Sequence, residues 1–103
     1  MSGLISPWVP TTDPQDFKVL GKQKEELGEL TAATSRCVIQ GINESEPVTL
    51  KPNLLWLTEE VADVQATSEL LIEHFGLNRD FIAKRKAKKL DGFYKWLDMM
   101  PLN

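Results

Sequence analysis

The stretch DPQDFKVLGKQKEELGELTAATSRCVIQG, residues 13–41, decides the fold. Asp13 stands where a helix N-cap belongs, Pro14 fits the first helical position, and Asp16 adds an acid to the first turn. No further proline interrupts the run before Gly41, a residue suited to ending a helix. Phe17, Leu20, Leu27, Leu30, Thr34, Cys37 and Val38 recur at helical spacing. The pattern predicts a helix over 13–40, with Gly28 as its weak point, at roughly 1 kcal/mol relative to alanine.

Working outward, residues 41–53 (GINESEPVTLKPN) carry two prolines and no clear period, so they read as a connector. A second helix is expected over 53–75, with Asn53 as its cap and Gly76 as its stop. Its apolar stripe is Leu54, Leu57, Val61, Val64, Leu71, Ile72 and Phe75. Asn78 then caps a third helix over 78–99, with Ile82, Leu90, Phe93, Leu97 and Met100 on its apolar side and Pro101 beyond. Residues 1–12 read as an extended arm packed down by Trp8. Val48 to Leu50 is too short for a strand. The expectation is an all-α antiparallel helical bundle with three main helices, about 13–40, 53–75 and 78–99, forming one domain over 13–100 and completed by oligomerisation.

The totals agree with one ordinary globular domain: 103 residues, 42% hydrophobic and 26% charged. A net charge of -3 argues against a nucleic-acid polymer as partner, although KRKAKK at 84–89 gathers five of the twelve basic residues. One cysteine and one histidine exclude an internal disulfide and a Cys/His zinc site. The opening MSGLISPWVP lacks a basic n-region and no run approaches 18 apolar residues. The expected location is cytoplasmic, without membrane attachment.

Two phrases repeat: EELGEL at 25–30 and EEVADV at 59–64. On a helical wheel with Leu27 at zero, Glu26 and Glu29 fall at about -100° and -160°. With Val61 at zero, Glu60 and Asp63 fall at the same two angles. Each helix therefore carries a carboxylate pair at the same edge of its apolar stripe. If the stripes pack together, four carboxylates converge and repel, and desolvation sharpens the conflict. A hard divalent cation resolves it, because Mg²⁺ takes oxygen ligands and leaves part of its shell to water or phosphate. A solvated acidic face is the plain alternative for any single pair.

Glu25-Glu26-x-x-Glu29 followed by Glu60-x-x-Asp63 resembles the signature of the MazG-like all-α nucleoside triphosphate pyrophosphohydrolases, in particular small phage or prophage members. The resemblance covers roughly residues 13–97 and includes KPNLLWLTEEVADV. It implies Mg²⁺ (or Mn²⁺) held by Glu26, Glu29, Glu60 and Asp63. It implies hydrolysis of a (d)NTP or modified NTP to the monophosphate and pyrophosphate, and assembly as a homodimer or homotetramer. It also implies a role for Glu25 in orienting or deprotonating the attacking water. The chain departs from the family in lacking a full helix before EExxE and in carrying a Lys/Arg run without the matching asparagine. Two other functions fit the pattern: a non-enzymatic helical module binding a protein or an alarmone nucleotide, and a phosphoribosyl-ATP pyrophosphohydrolase.

Candidate substrate contacts are Lys22, Trp56, Lys84, Arg85 and Lys88, with Lys89 beside them. Lys22 either meets phosphate or pairs with Glu26 at i, i+4. Trp56 lies near the angle of Asp63, where it either stacks a base or closes the core rim. The basic run splits between two sides of its helix, so at most half of it faces one site. Cys37 reads as core, His74 as an end charge or surface residue, and Glu59 as solvated surface.

Overall fold

The computed structural model describes residues 6–99, so the first five residues of the expected arm, Met100 and Pro101 lie outside the described residues. Three helices follow one another: α1 (Pro14–Gln40), α2 (Asn53–Phe75) and α3 (Arg79–Met99). The protein is all-α. Asp13 caps α1, its carboxylate accepting from the backbone N–H of Gln15 at 2.8 Å and of Asp16 at 3.1 Å. Gly41 ends α1 at a φ of 112°, and Gly76 ends α2 in the left-handed region, where a side chain is disfavoured. Asn78 caps α3 by accepting from the Phe81 N–H at 2.9 Å.

Helices α1 and α2 form an antiparallel hairpin. As the α1 partner advances from Asp16 to Gln23 to Cys37, the α2 partner retreats from His74 to Ser68 to Asn53. The seam is made by Val19, Gln23, Glu26, Leu30, Ala33 and Cys37 on α1. Asn53, Leu57, Glu60, Val64, Thr67 and Leu71 face them from α2, and all twelve are buried or half-buried. Both sets alternate steps of four and three residues, the spacing of a left-handed coiled-coil seam.

That seam corrects several expectations. Leu27 and Val61, the centres of the two expected stripes, are 43% and 41% exposed. Phe17, Leu20 and Val38 are exposed too. The packed face of α1 is rotated toward Glu26, so Glu26 and Glu60 sit within the interface instead of at its edge. Only Val19 and Ala33 are fully buried apolar residues among those described. Trp8 does not pack the arm down, for it stands 90% exposed.

Asn53 is not a cap. Pro52 holds that place without a side-chain bond, and Asn53 is the first helical residue, fully buried. Its amide donates to the Gly41 carbonyl at 2.9 Å and to Gln40 Oε1 at 3.5 Å, tying the start of α2 to the end of α1. His74 Nε2 lies 2.7 Å from Asp16 Oδ1 and closes the opposite end of the hairpin.

Helix α3 makes no comparable contact with α1 or α2. An Arg79–Glu69 ion pair anchors its first turn to α2. Beyond it, Phe81, Leu90, Phe93, Trp96 and Leu97 remain exposed. The radius of gyration is 18.8 Å, against about 13 Å for a compact chain of this length. The accessible surface is 8699 Å², against about 5,800 Å² for a compact monomer of this mass.

Candidate metal centre

The hairpin register sets the 26–29 turn of α1 opposite the 60–63 turn of α2. One carboxylate oxygen from each of Glu26, Glu29, Glu60 and Asp63 lies within 4.8 Å of the others. The two inner members arrive from the seam: Glu60 is 8% exposed and Glu26 is half-buried. The two outer members, Glu29 and Asp63, are exposed and define the open side of the cluster. Glu26 takes on α1 the place that Glu60 takes on α2, and Glu29 the place of Asp63.

The electrostatics are unresolved within the protein. Glu26 Oε2 and Glu60 Oε2 are buried without a hydrogen-bond partner. Burial pushes the Glu26 carboxyl above its ordinary value, and the charges of Glu29, Asp63 and Glu25 push it further. A buried polar atom without a partner is destabilising, more so when charged. The donor set is all oxygen, as a hard cation requires. Opposed ligands of a six-coordinate Mg²⁺ stand about 4.2 Å apart at the usual bond length of 2.1 Å. A four-oxygen cluster of 4.8 Å span needs only a small inward adjustment to fit that shell.

The remaining candidates divide. Glu25 does not join the cluster; its carboxylate pairs with Lys22 at 3.1 Å. Lys22 therefore pairs at i, i+3 and not with Glu26 as expected. Glu59 is more than solvated surface, because it pairs with Lys51. The first acid of each repeated phrase thus holds a lysine beside the cluster. Trp56 is half-buried, and the Arg36 guanidinium lies over its ring at 4.4 Å from the centroid. That cation occupies ring surface that the base-stacking alternative for Trp56 would use. Cys37 is half-buried in the seam, its Sγ 4.0 Å from the Asn53 carbonyl.

Lys84, Arg85 and Lys88 are exposed on α3. Along α2, Asp63 and the end of the helix are separated by roughly 18 Å, at 1.5 Å per residue. With α3 unpacked from the hairpin, the structure does not bring these cations to the cluster. Sequence reading missed Arg36. The signal was available, since seven residues from Glu29 return to the same helix face.

Comparison of the chain with protein-family models, with curated proteins and with solved structures finds no match. Among the described residues, no helix is long and apolar enough to cross a membrane.

Proposed function

We propose that the protein is a Mg²⁺-dependent nucleotide pyrophosphohydrolase acting on a (d)NTP or modified NTP. The observation that carries the reading is Glu60: a nine-tenths buried carboxylate with an unpartnered oxygen, inside a four-carboxylate cluster. Gln23 Oε1 and Asn53 Oδ1 in the same seam also lack a partner, so it is the convergence of four carboxylates on Glu60 that points to a ligand. The likeness of the acid pattern to MazG-like enzymes supports the same reading.

Glu26, Glu29, Glu60 and Asp63 would hold the metal. When bound, it supplies charge neutralisation at the phosphate oxygens and lowers the pKa of an attacking water. In the reaction, water adds to the α-phosphorus and the bond to the β-phosphate oxygen breaks, giving the monophosphate and pyrophosphate. Glu26 and Glu60 fix their oxygens from the interior of the seam, where neighbouring side chains limit their movement. Glu29 and Asp63 face the open side, from which a polyphosphate would approach. Glu25 orients Lys22, and its carboxylate stands near enough to Glu26 for its charge to act there.

Two or more copies would associate through the exposed apolar faces of α1 and α3. The surface in excess of a compact monomer, about 2,900 Å² per chain, is more than enough to supply one partner's share of an obligate interface.

Calorimetric titration with Mg²⁺ and Mn²⁺, followed by a panel of NTPs, dNTPs and modified nucleotides scored for pyrophosphate release, tests the reading. Binding and turnover should both vanish in Glu60→Gln and Asp63→Asn, with helicity retained. Metal binding without turnover on any substrate would favour the non-enzymatic nucleotide-binding module. Failure of Mg²⁺ and Mn²⁺ to bind would end the enzyme reading and leave the metal-independent binding module.

A further inference from the structure

We infer that Arg36 and Lys51, gathered on Trp56 at the connector end of the hairpin, form an anion site for phosphate oxygens beyond those held at the carboxylate cluster. The site rests on the reading of that cluster as a metal centre. The Arg36 guanidinium lies 4.4 Å from the ring centroid and the Lys51 Nζ 5.8 Å from it. Stacking on an aromatic face orients the planar fork of an arginine and leaves its edge N–H groups free for bidentate contact with phosphate. Among the described residues Arg36 makes no ion pair within 4 Å, whereas Lys22, Lys51 and Arg79 all do, and the Glu46 carboxylate lies near enough to feel its charge.

The position is also right. From Glu29 to Arg36 is seven residues, roughly 10 Å along one face of α1. From Asp63 back to Trp56 is seven residues along one face of α2. Arg36 and Trp56 therefore stand on the side of the hairpin that Glu29 and Asp63 open, about 10 Å toward the connector. An extended polyphosphate with one end at the cluster covers most of that interval, and the arginine side chain covers the rest.

The connector holds the site in place. The Glu46 carboxylate accepts from the backbone N–H of Val48 at 3.0 Å and from the N–H and hydroxyl of Thr49. The Leu50 N–H donates to the Glu46 carbonyl at 2.8 Å, with Leu50 at a φ of 63°. A non-glycine residue in that region is held there by its surroundings. Lys51 follows immediately and is steered by Glu59. A cavity of about 260 Å³ opens between Glu46, Thr49, Lys51 and Trp56.

The test uses the full chain with Trp8→Phe and Trp96→Phe, which leaves Trp56 as the sole tryptophan. Inorganic tripolyphosphate with Mg²⁺ should change its emission saturably. Arg36→Gln should weaken that binding by about tenfold or more, since a charge-assisted contact is lost. Arg36→Lys should weaken it less, and neither change should alter Mg²⁺ affinity by calorimetry. Equal tripolyphosphate affinity in the parent, Arg36→Gln and Lys51→Gln overturns the inference. So does Mg²⁺ binding with no tripolyphosphate binding, an outcome that leaves the metal centre standing. If Mg²⁺ does not bind, the metal centre fails separately, and metal-free tripolyphosphate decides: dependence on Arg36 sustains the anion site, and its absence overturns it.

Discussion

Replacing Glu60 by glutamine should stabilise the metal-free protein and remove its response to metal. Glu60 is 8% exposed, and its Oε2 has no partner in the seam. An unsatisfied buried group is destabilising by about 1–3 kcal/mol, and a charged one by more. Glutamine keeps the shape, removes the charge and puts an N–H donor within reach of three carboxylates whose oxygens lie within 4.8 Å. Relief of about 1–3 kcal/mol corresponds to a rise in Tm of roughly 5 to 20 °C for a domain of this size. The wild type should recover the difference with metal, because a ligand at a hundredfold excess over its Kd contributes about 2.7 kcal/mol. Thermal unfolding followed by circular dichroism, in chelator and then in Mg²⁺, measures both effects. A wild type that is already as stable as Glu60→Gln in chelator, or a Mg²⁺ shift equal in the two proteins, would refute the reasoning. The carboxylate would then have a compensation that the geometry does not contain.

Three further outcomes are expected. Asn53→Ala removes the hydrogen bond that the side-chain amide donates to the Gly41 carbonyl in a fully buried site and should destabilise the hairpin by about 1–3 kcal/mol in urea unfolding. The hydrogen bonds of Thr49 and Val48 hold the Glu46 carboxyl below its ordinary value. Its contribution to connector stability is therefore complete above the ordinary glutamate range and lost as pH falls through the folded-state value. A carboxyl NMR titration should show that depressed midpoint returning toward normal in Thr49→Val. Light scattering at micromolar concentration should give a dimer or tetramer; a monomer would remove the case for covering the exposed faces of α1 and α3.

The helix limits were legible because single residues set them: Asp13 and Pro14 at one end of α1, Gly41 at the other, Gly76 and Asn78 between α2 and α3. The membership of the carboxylate cluster was legible because the two pairs occupy equal wheel angles, so a packed face rotated alike on both helices still brings them together. The packing itself was not. Hydrophobicity centred the stripes on Leu27 and Val61, yet the seam runs through Gln23, Glu26, Asn53, Glu60 and Thr67. Leu30, Cys37, Leu57, Val64 and Leu71 of the expected stripes do lie in the seam, but its five polar members cannot be found by looking for apolar residues. Asn53 misled for a related reason, since a helix-start asparagine reads as a cap whether it faces solvent or the interior. The stacking of Arg36 on Trp56 joins residues 20 apart across the connector, and no local pattern reports such a contact.

The correspondence of Glu26 with Glu60, and of Glu29 with Asp63, has a consequence for direction. Two antiparallel helices bearing carboxylates at equivalent places, Glu29 answering to Asp63, are related by an approximate local two-fold axis through the cluster. A cradle with that symmetry cannot distinguish the head of a chain of phosphates from its tail. Only its unlike margins can, with Lys22 on one side and Arg36, Lys51 and Trp56 on the other. The orientation of anything long that lies across the hairpin is therefore set outside the carboxylates, by the side chains in which the two helices differ.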